Sequence, residues 1–266
     1  MKTVERAALL FCFLSVSSLS HAGTILGSAA VFGVLGASTV TNNGDTVING
    51  DLGLYAGTSI TGFLPGPLSG PGIVNGTIYD TTSEAEQAQA DALTGYNVLA
   101  SLTPNVNLTS QDLGGMTLTP GVYMYDSSAG MTGQLTLNFQ GLSNQTFVFQ
   151  IGSTLTTASS SSVLIINPGD DDSVYWQVGS SATLGTTTSF YGTIIADQSV
   201  TLTTGASMAC GGAMALNGAV TMDTNTISVC TDTGTETPEP STALLLASGL
   251  ILGAAWIARA RAMICR

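Results

Sequence analysis

The side chains that could do chemistry are one-sided in this sequence. Between Gly23 and Thr237 there is no Lys, Arg or His: Lys2, Arg6 and His21 precede the stretch, and Arg259, Arg261 and Arg266 follow it. A Ser, Cys or Thr nucleophile needs a neighbouring base, usually His or Lys, and developing anionic charge is commonly met by Arg, Lys or a metal. Carboxylate chemistry survives. The stretch keeps 15 of the 17 acidic residues, because only Glu5 and Glu239 lie outside it. Asp170, Asp171 and Asp172 are the suspects for a paired-carboxylate hydrolase. Three consecutive Asp in a Pro-Gly turn alternate in direction, however, which suits a solvated loop or a weak Ca²⁺ site better. Phosphate recognition needs cationic side chains, so nucleic acid is excluded as a partner. The reading is of a non-enzyme with no catalytic residue, cofactor, metal or small-molecule substrate.

What the stretch offers instead is hydroxyls. Thr accounts for 35 of the 215 residues from Gly23 to Thr237. A Thr followed by Leu or Met recurs at Thr117-Leu118, Thr136-Leu137, Thr154-Leu155, Thr183-Leu184, Thr201-Leu202 and Thr221-Met222, with spacings of 19, 18, 29, 18 and 20. The long interval spans Asn167 to Asp172, read as an insertion. A second series runs through Phe147–Ile151, Val174–Val178, Tyr191–Ile195 and Gly212–Leu216; a third includes Ser162–Ile166 and Thr226–Val229. Three short strands per coil of about 19 residues, separated by Gly, Ser and Asn, describe a mainly β fold, a β-solenoid of roughly triangular section. A β-sandwich is the alternative. One segment breaks the pattern: Ser83-Glu84-Ala85-Glu86 reads as a capping box, and Ala85, Ala88, Ala92, Leu93, Tyr96 and Leu99 fall at helical spacing before Pro104. The expectation is one long amphipathic helix over about 83–102, packed along a flank of the solenoid.

The ends carry addresses. Residues 1–22 read as a secretory signal, with a basic start, an apolar run and a small-x-small site at Ser20-His21-Ala22, to be removed by signal peptidase. Residues 23–230 form the solenoid domain. Residues 231–242 form a linker ending in Pro238-Glu239-Pro240, and 243–266 a hydrophobic segment with an Arg cluster, the physical pattern of a short anchor whose basic flank stays in the cytoplasm. Its order resembles the PEP-CTERM sorting signal of Gram-negative bacteria. That resemblance implies export, removal of the tail by an exosortase, only transient membrane contact, and release to the outer surface or medium. A permanent anchor is the alternative. Export permits disulfides. Cys210 and Cys230 are the cysteines left once Cys12 and Cys265 depart with the ends, and a bond between them would close a loop worth about 3 kcal/mol. Two free buried thiols are the other possibility.

Several segments of the body resemble the microbial ice-binding protein family. They are Gly27–Gly36, Thr46–Gly53, Leu118-Thr119-Pro120-Gly121-Val122-Tyr123, Phe147–Gly152 and Leu216–Thr221. The likeness runs from about Gly23 to Val229. It implies a right-handed, discontinuous triangular β-solenoid with one long flanking helix. It also implies secretion, adsorption to ice, inhibited recrystallisation and no catalysis. Gly211–Met214, which lacks a basic residue expected near that turn, and the acidic turn Asp170–Asp172 depart from the family pattern.

The residues support an ice surface as partner. Ice presents a flat, periodic, uncharged array of donors and acceptors, and Thr pairs a methyl with a hydroxyl on a side chain of restricted rotamers. Strand alternation projects Thr154 and Thr156 together while Leu155 turns inward. It likewise puts Thr201 and Thr203 outside Leu202, Thr183 outside Leu184 and Thr221 outside Met222. Stacking at about 4.8 Å makes these ranks. A neighbouring candidate is the following corner: Thr157-Ala158-Ser159, Thr186-Thr187-Thr188, Thr204-Gly205-Ala206 and Thr224-Asn225-Thr226. Strand and corner remain open at this point. The rival function is a structural or adhesive matrix protein without ice affinity.

Overall fold

In a computed structural model, residues 25–63 and 70–230 are described. The expectations placed on 1–22, 231–242 and 243–266 lie outside the described residues. Among the described residues, strands assemble into three sheets in which every neighbour is parallel. Sheet A stacks Ile78–Asp80, Asp51–Leu54, Phe32–Gly36, Ala213–Ala215, Thr193–Ala196, Ser173–Val178, Thr146–Ile151, Gly121–Tyr125 and Val106–Asn107. Sheet B stacks Ala129–Met131, Leu155–Thr157, Ala182–Leu184, Val200–Leu202, Val220–Asp223, Thr39–Asn43 and Ser59–Thr61. Sheet C stacks Ile73–Val74, Val47–Asn49, Thr226–Ser228, Ser207–Ala209, Ser189–Tyr191, Ser162–Ile166, Gln134–Asn138 and Thr117–Leu118. Each coil passes from A to B to C, so the section is three-sided.

The stack does not follow the chain. The first coil is inserted between the second and the last, since Val34 pairs with both Leu52 and Ala213. After the second coil, the helix crosses the outside of sheet A, and the remaining coils stack back until they meet the first. This is the discontinuous solenoid that the family resemblance implied.

Coil length varies with what fills the section. Trp176 pairs with Ile194, 18 positions on, but Phe149 pairs with Trp176, 27 positions on. The wide coils hold an aromatic ladder in register, Tyr123 on Phe149 at 5.4 Å between centroids and Phe149 on Trp176 at 3.9 Å. Offset stacking adds to the burial of such large side chains. Their strands and corner turns are correspondingly longer than the 19-residue expectation.

Sheet A is buried on both faces, which is why its strands read as unbroken apolar runs. Inward are Val34, Phe149, Trp176 and Ile194; outward, Leu35, Val148, Ile195 and Met214 lie beneath the helix. The helix runs Ser83–Ser101, one residue short of the expectation, and its stripe is Ala85, Ala88, Ala92, Gly95 and Leu99. Small residues let it approach closely: a Cβ on Gly95 would stand 2.7 Å from the carbonyl oxygen of Ile25. Two details correct the sequence reading. The N-cap is Thr82, whose hydroxyl accepts from Ala85 N, so Ser83 and Glu86 do not form the expected box. Leu93 points to solvent at 50% exposure, because it follows Ala92 by one residue and so turns about 100° away from the stripe.

Polar groups tie the helix at its middle and at its C-terminal end. The Asp91 carboxylate accepts from the hydroxyl and backbone N–H of Ser28, bonds that hold it below the usual carboxylate range and fasten the N-terminal 3-10 turn Gly27–Val31. At the C-terminal end, the buried Gln150 amide donates to the carbonyls of Leu99 (2.7 Å) and Leu102 (2.9 Å), groups a helix C-terminus otherwise leaves unpaired. Cys210 and Cys230 are joined by a disulfide with Cα atoms 3.9 Å apart.

Gln150→Leu keeps the volume but strips both carbonyls of their buried donor. The expected loss is about 1–3 kcal/mol of unfolding free energy, read by denaturant titration of Trp176 fluorescence, with no change in the outer side of sheet B.

Candidate functional site

The regular surface of the molecule is the outer side of sheet B. Its strands are short and pinned from within by Leu155, Ala182, Val200, Val220, Val40 and Ile60, all buried. The residue after each of these points out, and the register aligns them: Thr156 with Thr183, Thr183 with Thr201, Thr201 with Thr221, Thr221 with Thr41 and Thr41 with Thr61. Six threonines thus form one rank down six coils. At about 4.8 Å per coil it is roughly 24 Å long. Thr41, Thr61, Thr156 and Thr221 are exposed and Thr183 and Thr201 half-buried. Among the described residues none of these six hydroxyls has a hydrogen-bond partner in the protein.

A parallel rank lies two residues back: Thr154, Ser181, Ser199, Ala219, Thr39 and Ser59. Its side chains are small, and several serve the structure. Thr154 Oγ1 donates to Ser128 Oγ (2.9 Å), while the hydroxyl oxygens of Ser181 and Ser199 accept from the backbone N–H groups of Ser199 and Ala219. Each of these six coils therefore carries a residue of the second rank, an inward apolar residue and a Thr.

The register corrects the Thr-Leu series. Thr117 and Thr136 are on sheet C, not sheet B. Thr154 aligns with Ser181, because Leu155 pairs with Ala182. A slip of two residues leaves every side chain on the same face, so alternation alone does not reveal it. Two members of the rank, Thr41 and Thr61, went unread. The motifs Thr39-Val40-Thr41 and Ser59-Ile60-Thr61 carry the signal, but the discontinuity places them far away in sequence.

The corner between sheets B and C is a different kind of place. Thr157 is buried rather than presented: its hydroxyl pairs with that of Thr188 (2.8 Å) and accepts from Gly185 N (2.8 Å). It falls one residue after Thr156 and so points inward. Thr203 is half-buried and donates to Leu184 O. Thr204 and Thr224 both donate to the Asp223 carboxylate, and Thr186 lies 3.4 Å from Thr203. Asn225, fully buried, donates to the carbonyls of Thr203 and Ala206 and accepts from Asp223 N. The left-handed backbone at Ser160, Thr187, Gly205, Thr224 and Gly44 turns the chain here coil after coil. Most corner hydroxyls are committed to building the corner; among the described residues Ser159 and Thr226 are the exceptions.

The threonine rank holds no charged residue. Asp112 closes one end of sheet B; burial raises its pKa, but bonds from the backbone N–H groups of Thr132 and Gly114 outweigh this and leave it below the ordinary value. The Asp170–Asp172 suspects do not converge on a groove: Asp172 accepts from Gln145 N and Gly169 N and closes its own turn, while Asp170 and Asp171 are exposed. Among the described residues no group of three or more His, Cys, Asp or Glu could hold a metal ion. Sheet C has comparable length, but one of its outward ranks mixes Leu164, Tyr191, Ala209, Ser228 and Asn49, and the other runs Ser162, Ser189, Ser207 and Thr226 before giving way to Val47, a shorter hydroxyl row that is mostly serine.

Known proteins share this architecture. The sequence profile of a family described as ice-binding-like matches residues 34–228. Over 261 residues the chain is 51% identical to an ice-binding protein of Nostoc sp. (strain HG1), an alignment covering 94% of each chain. The crystal structure of an ice binding protein from an Antarctic Biological Consortium aligns with a TM-score of 0.70 at 46% identity, covering 77% of this chain and 90% of that one. That of an ice-binding protein from the Antarctic ascomycete Antarctomyces psychrotrophicus gives 0.67 at 37% identity, covering 77% and 98%. The matched segment begins in the first strand of sheet A and ends in the last strand of sheet C, taking in the whole threonine rank, and the chain belongs to the ice-binding-like family.

Proposed function

We propose that the protein adsorbs to ice through the outer side of sheet B and thereby slows ice growth and recrystallisation. The contact residues are Thr41, Thr61, Thr156, Thr183, Thr201 and Thr221, bordered by Thr154 and the small residues aligned with it. The observation that carries the reading is the combination of register with uncommitted hydroxyls. A periodic solid is bound best by a periodic partner, and hydroxyls with no internal bond remain able to join an ordered water layer. Each methyl adds at most about 0.8 kcal/mol on leaving water, so six together are worth about 5 kcal/mol. Affinity on this scale depends on all of them engaging at once, which a rigid solenoid permits without ordering cost.

The family relatives are named for ice binding, and the central stretch lacks the cations most enzymes use, which supports a non-catalytic role. Residues 1–22 support export. The linker 231–242 and the segment 243–266 support a sorting or anchoring step outside the solenoid domain.

Two substitutions separate the strand from the corner. Thr201→Tyr, in the middle of the rank, is expected to remove most of the gap between freezing and melting and the faceting of single ice crystals. Thr204→Tyr, one residue beyond Thr203 at the corner, is expected to leave both within about twofold; the reverse outcome moves the site to the corner. Gain of function is available at Gly130, which pairs with Thr156 where a seventh Thr would stand. A Cβ there meets Asp112 Oδ2 at 3.4 Å, ordinary contact. Gly130→Thr should widen the freezing gap at equal concentration.

A further inference from the structure

Beside the first turns of the helix the surface opens into a cleft of about 340 Å³, at the small end of the roughly 300–1,000 Å³ that ligand sites occupy. The 3-10 turn, sheet A and the helix each supply a wall, and no residue of the threonine rank lines it. Its floor is aromatic. Phe32 and Tyr79 meet with ring centroids 5.6 Å apart and planes tilted by 49°. Gly53 permits the meeting: a Cβ there would stand 2.7 Å from Phe32 Cε1, so the ring lies over the glycine and reaches Tyr79. Phe32 is buried, Tyr79 is half-buried, and Val31 exposes its side chain at the rim.

Above this floor the walls are negative and have no counter-charge. Asp51 and Glu84 both line the cleft. Asp51 spends one oxygen on the backbone N–H of Thr77 at 2.8 Å. Bonds from its own backbone N–H and from the hydroxyls of Thr82 and Ser83 hold Glu84 below the usual carboxylate range, so it stays ionised at neutral pH. Among the described residues there is no Lys, Arg or His to pair with either. The donors on the rim are engaged within the protein: Ser28 Oγ donates to Asp91 at 2.7 Å, Gln87 Nε2 to Asp91 at 2.8 Å, and Ser83 Oγ to Glu84 at 3.2 Å. What remains for a ligand is carboxylate oxygens and ring faces. Such a lining does not suit an anion, and a sugar finds few donors in it.

We propose that this cleft binds a small organic monocation carrying a quaternary ammonium group, with its methyls on the rings of Phe32 and Tyr79 and its charge facing Asp51 and Glu84. An aromatic face attracts a cation through the ring quadrupole, and an alkylated nitrogen needs no hydrogen-bond partner when it leaves water. A zwitterion with a carboxylate or phosphate beside the ammonium would set a further negative charge against the two acids and is disfavoured. The site is separate from the ice contact and does not depend on it. Residues 28–32, 51, 79 and 83–87 come together only in the folded chain, so the ligand also stabilises the fold by binding it alone.

The test titrates the full chain, in non-ionic detergent, with choline chloride against sodium chloride at equal ionic strength. Saturation-transfer NMR of the trimethylammonium signal reads binding, and Tm reads stabilisation. Choline should bind saturably and raise Tm, and dimethylbutanol, its neutral isostere with carbon in place of nitrogen, should bind about tenfold more weakly. Tyr79→Leu and Glu84→Gln should each weaken choline binding by about threefold or more, whereas Tyr79→Phe should keep it within about twofold. Tm without choline shows that each variant folds; should Tyr79→Leu fail to, Glu84→Gln, at an exposed helical position, decides the matter. Equal binding of the alcohol and choline makes the cleft merely apolar and overturns the proposal. No saturable choline signal overturns it too, as does unchanged affinity in the folded Glu84→Gln variant.

Discussion

Parallel stacking in register is the constraint on which the rest of this structure depends. Backbone hydrogen bonds between coils set one spacing, about 4.8 Å, and impose it on every side chain that a coil presents. A residue type repeated at the same point of each coil then becomes a row with crystalline regularity. Nothing in the side chains themselves produces that spacing. It follows that surface order here is inherited from the ladder beneath, and that an irregular sequence on the same ladder, as on sheet C, gives an irregular surface.

The three sheets divide the work. Sheet A buries both of its faces, one in the aromatic and aliphatic interior and the other under the helix, and this carries most of the apolar area. Sheet B needs only an alternating pattern, because its inner side completes the same core. Its outer side is released from any packing duty, so six threonines keep their hydroxyls unspent. The corner beside it cannot do so. Reversal of the chain at every coil exposes backbone groups, and Thr157, Thr188, Thr203 and Asn225 are used to satisfy them. Hydroxyl count alone therefore does not locate the site. What distinguishes the face is that its unbonded hydroxyls are threonines in register down six coils, whereas the unbonded Ser189, Ser207 and Thr226 of sheet C make a shorter, mixed row.

Much of this was legible in the residues. Strand alternation marked Thr156, Thr183, Thr201 and Thr221 as outward, and helical spacing marked Ala85, Ala88, Ala92 and Leu99 as the buried stripe. Other features depend on information that short windows lack. The insertion of the first coil between the second and the last is a long-range pairing, so Thr41 and Thr61 could not be joined to the rank by spacing. The 27-residue coils arise from the volume of Phe149 and Trp176, which no period reveals. Thr203 reads as outward because a strand pattern is extended into a corner, where left-handed residues redirect the side chains, and Thr157 reads as part of that corner although it closes the strand Leu155–Thr157 and points inward. The cap at Thr82 instead of Ser83 reflects a choice between adjacent hydroxyl residues of similar capping power.

The central claim is that ice meets the outer side of sheet B and not its corner or sheet C. The most direct measurement is solid-state NMR of the ¹³C-labelled protein in frozen solution, following magnetisation from ice protons to side-chain carbons. The account predicts the fastest transfer to the methyls of Thr41, Thr61, Thr156, Thr183, Thr201 and Thr221. Fastest transfer to Thr186, Thr204 and Thr224, or to Ser189, Ser207 and Thr226 on sheet C, would contradict it.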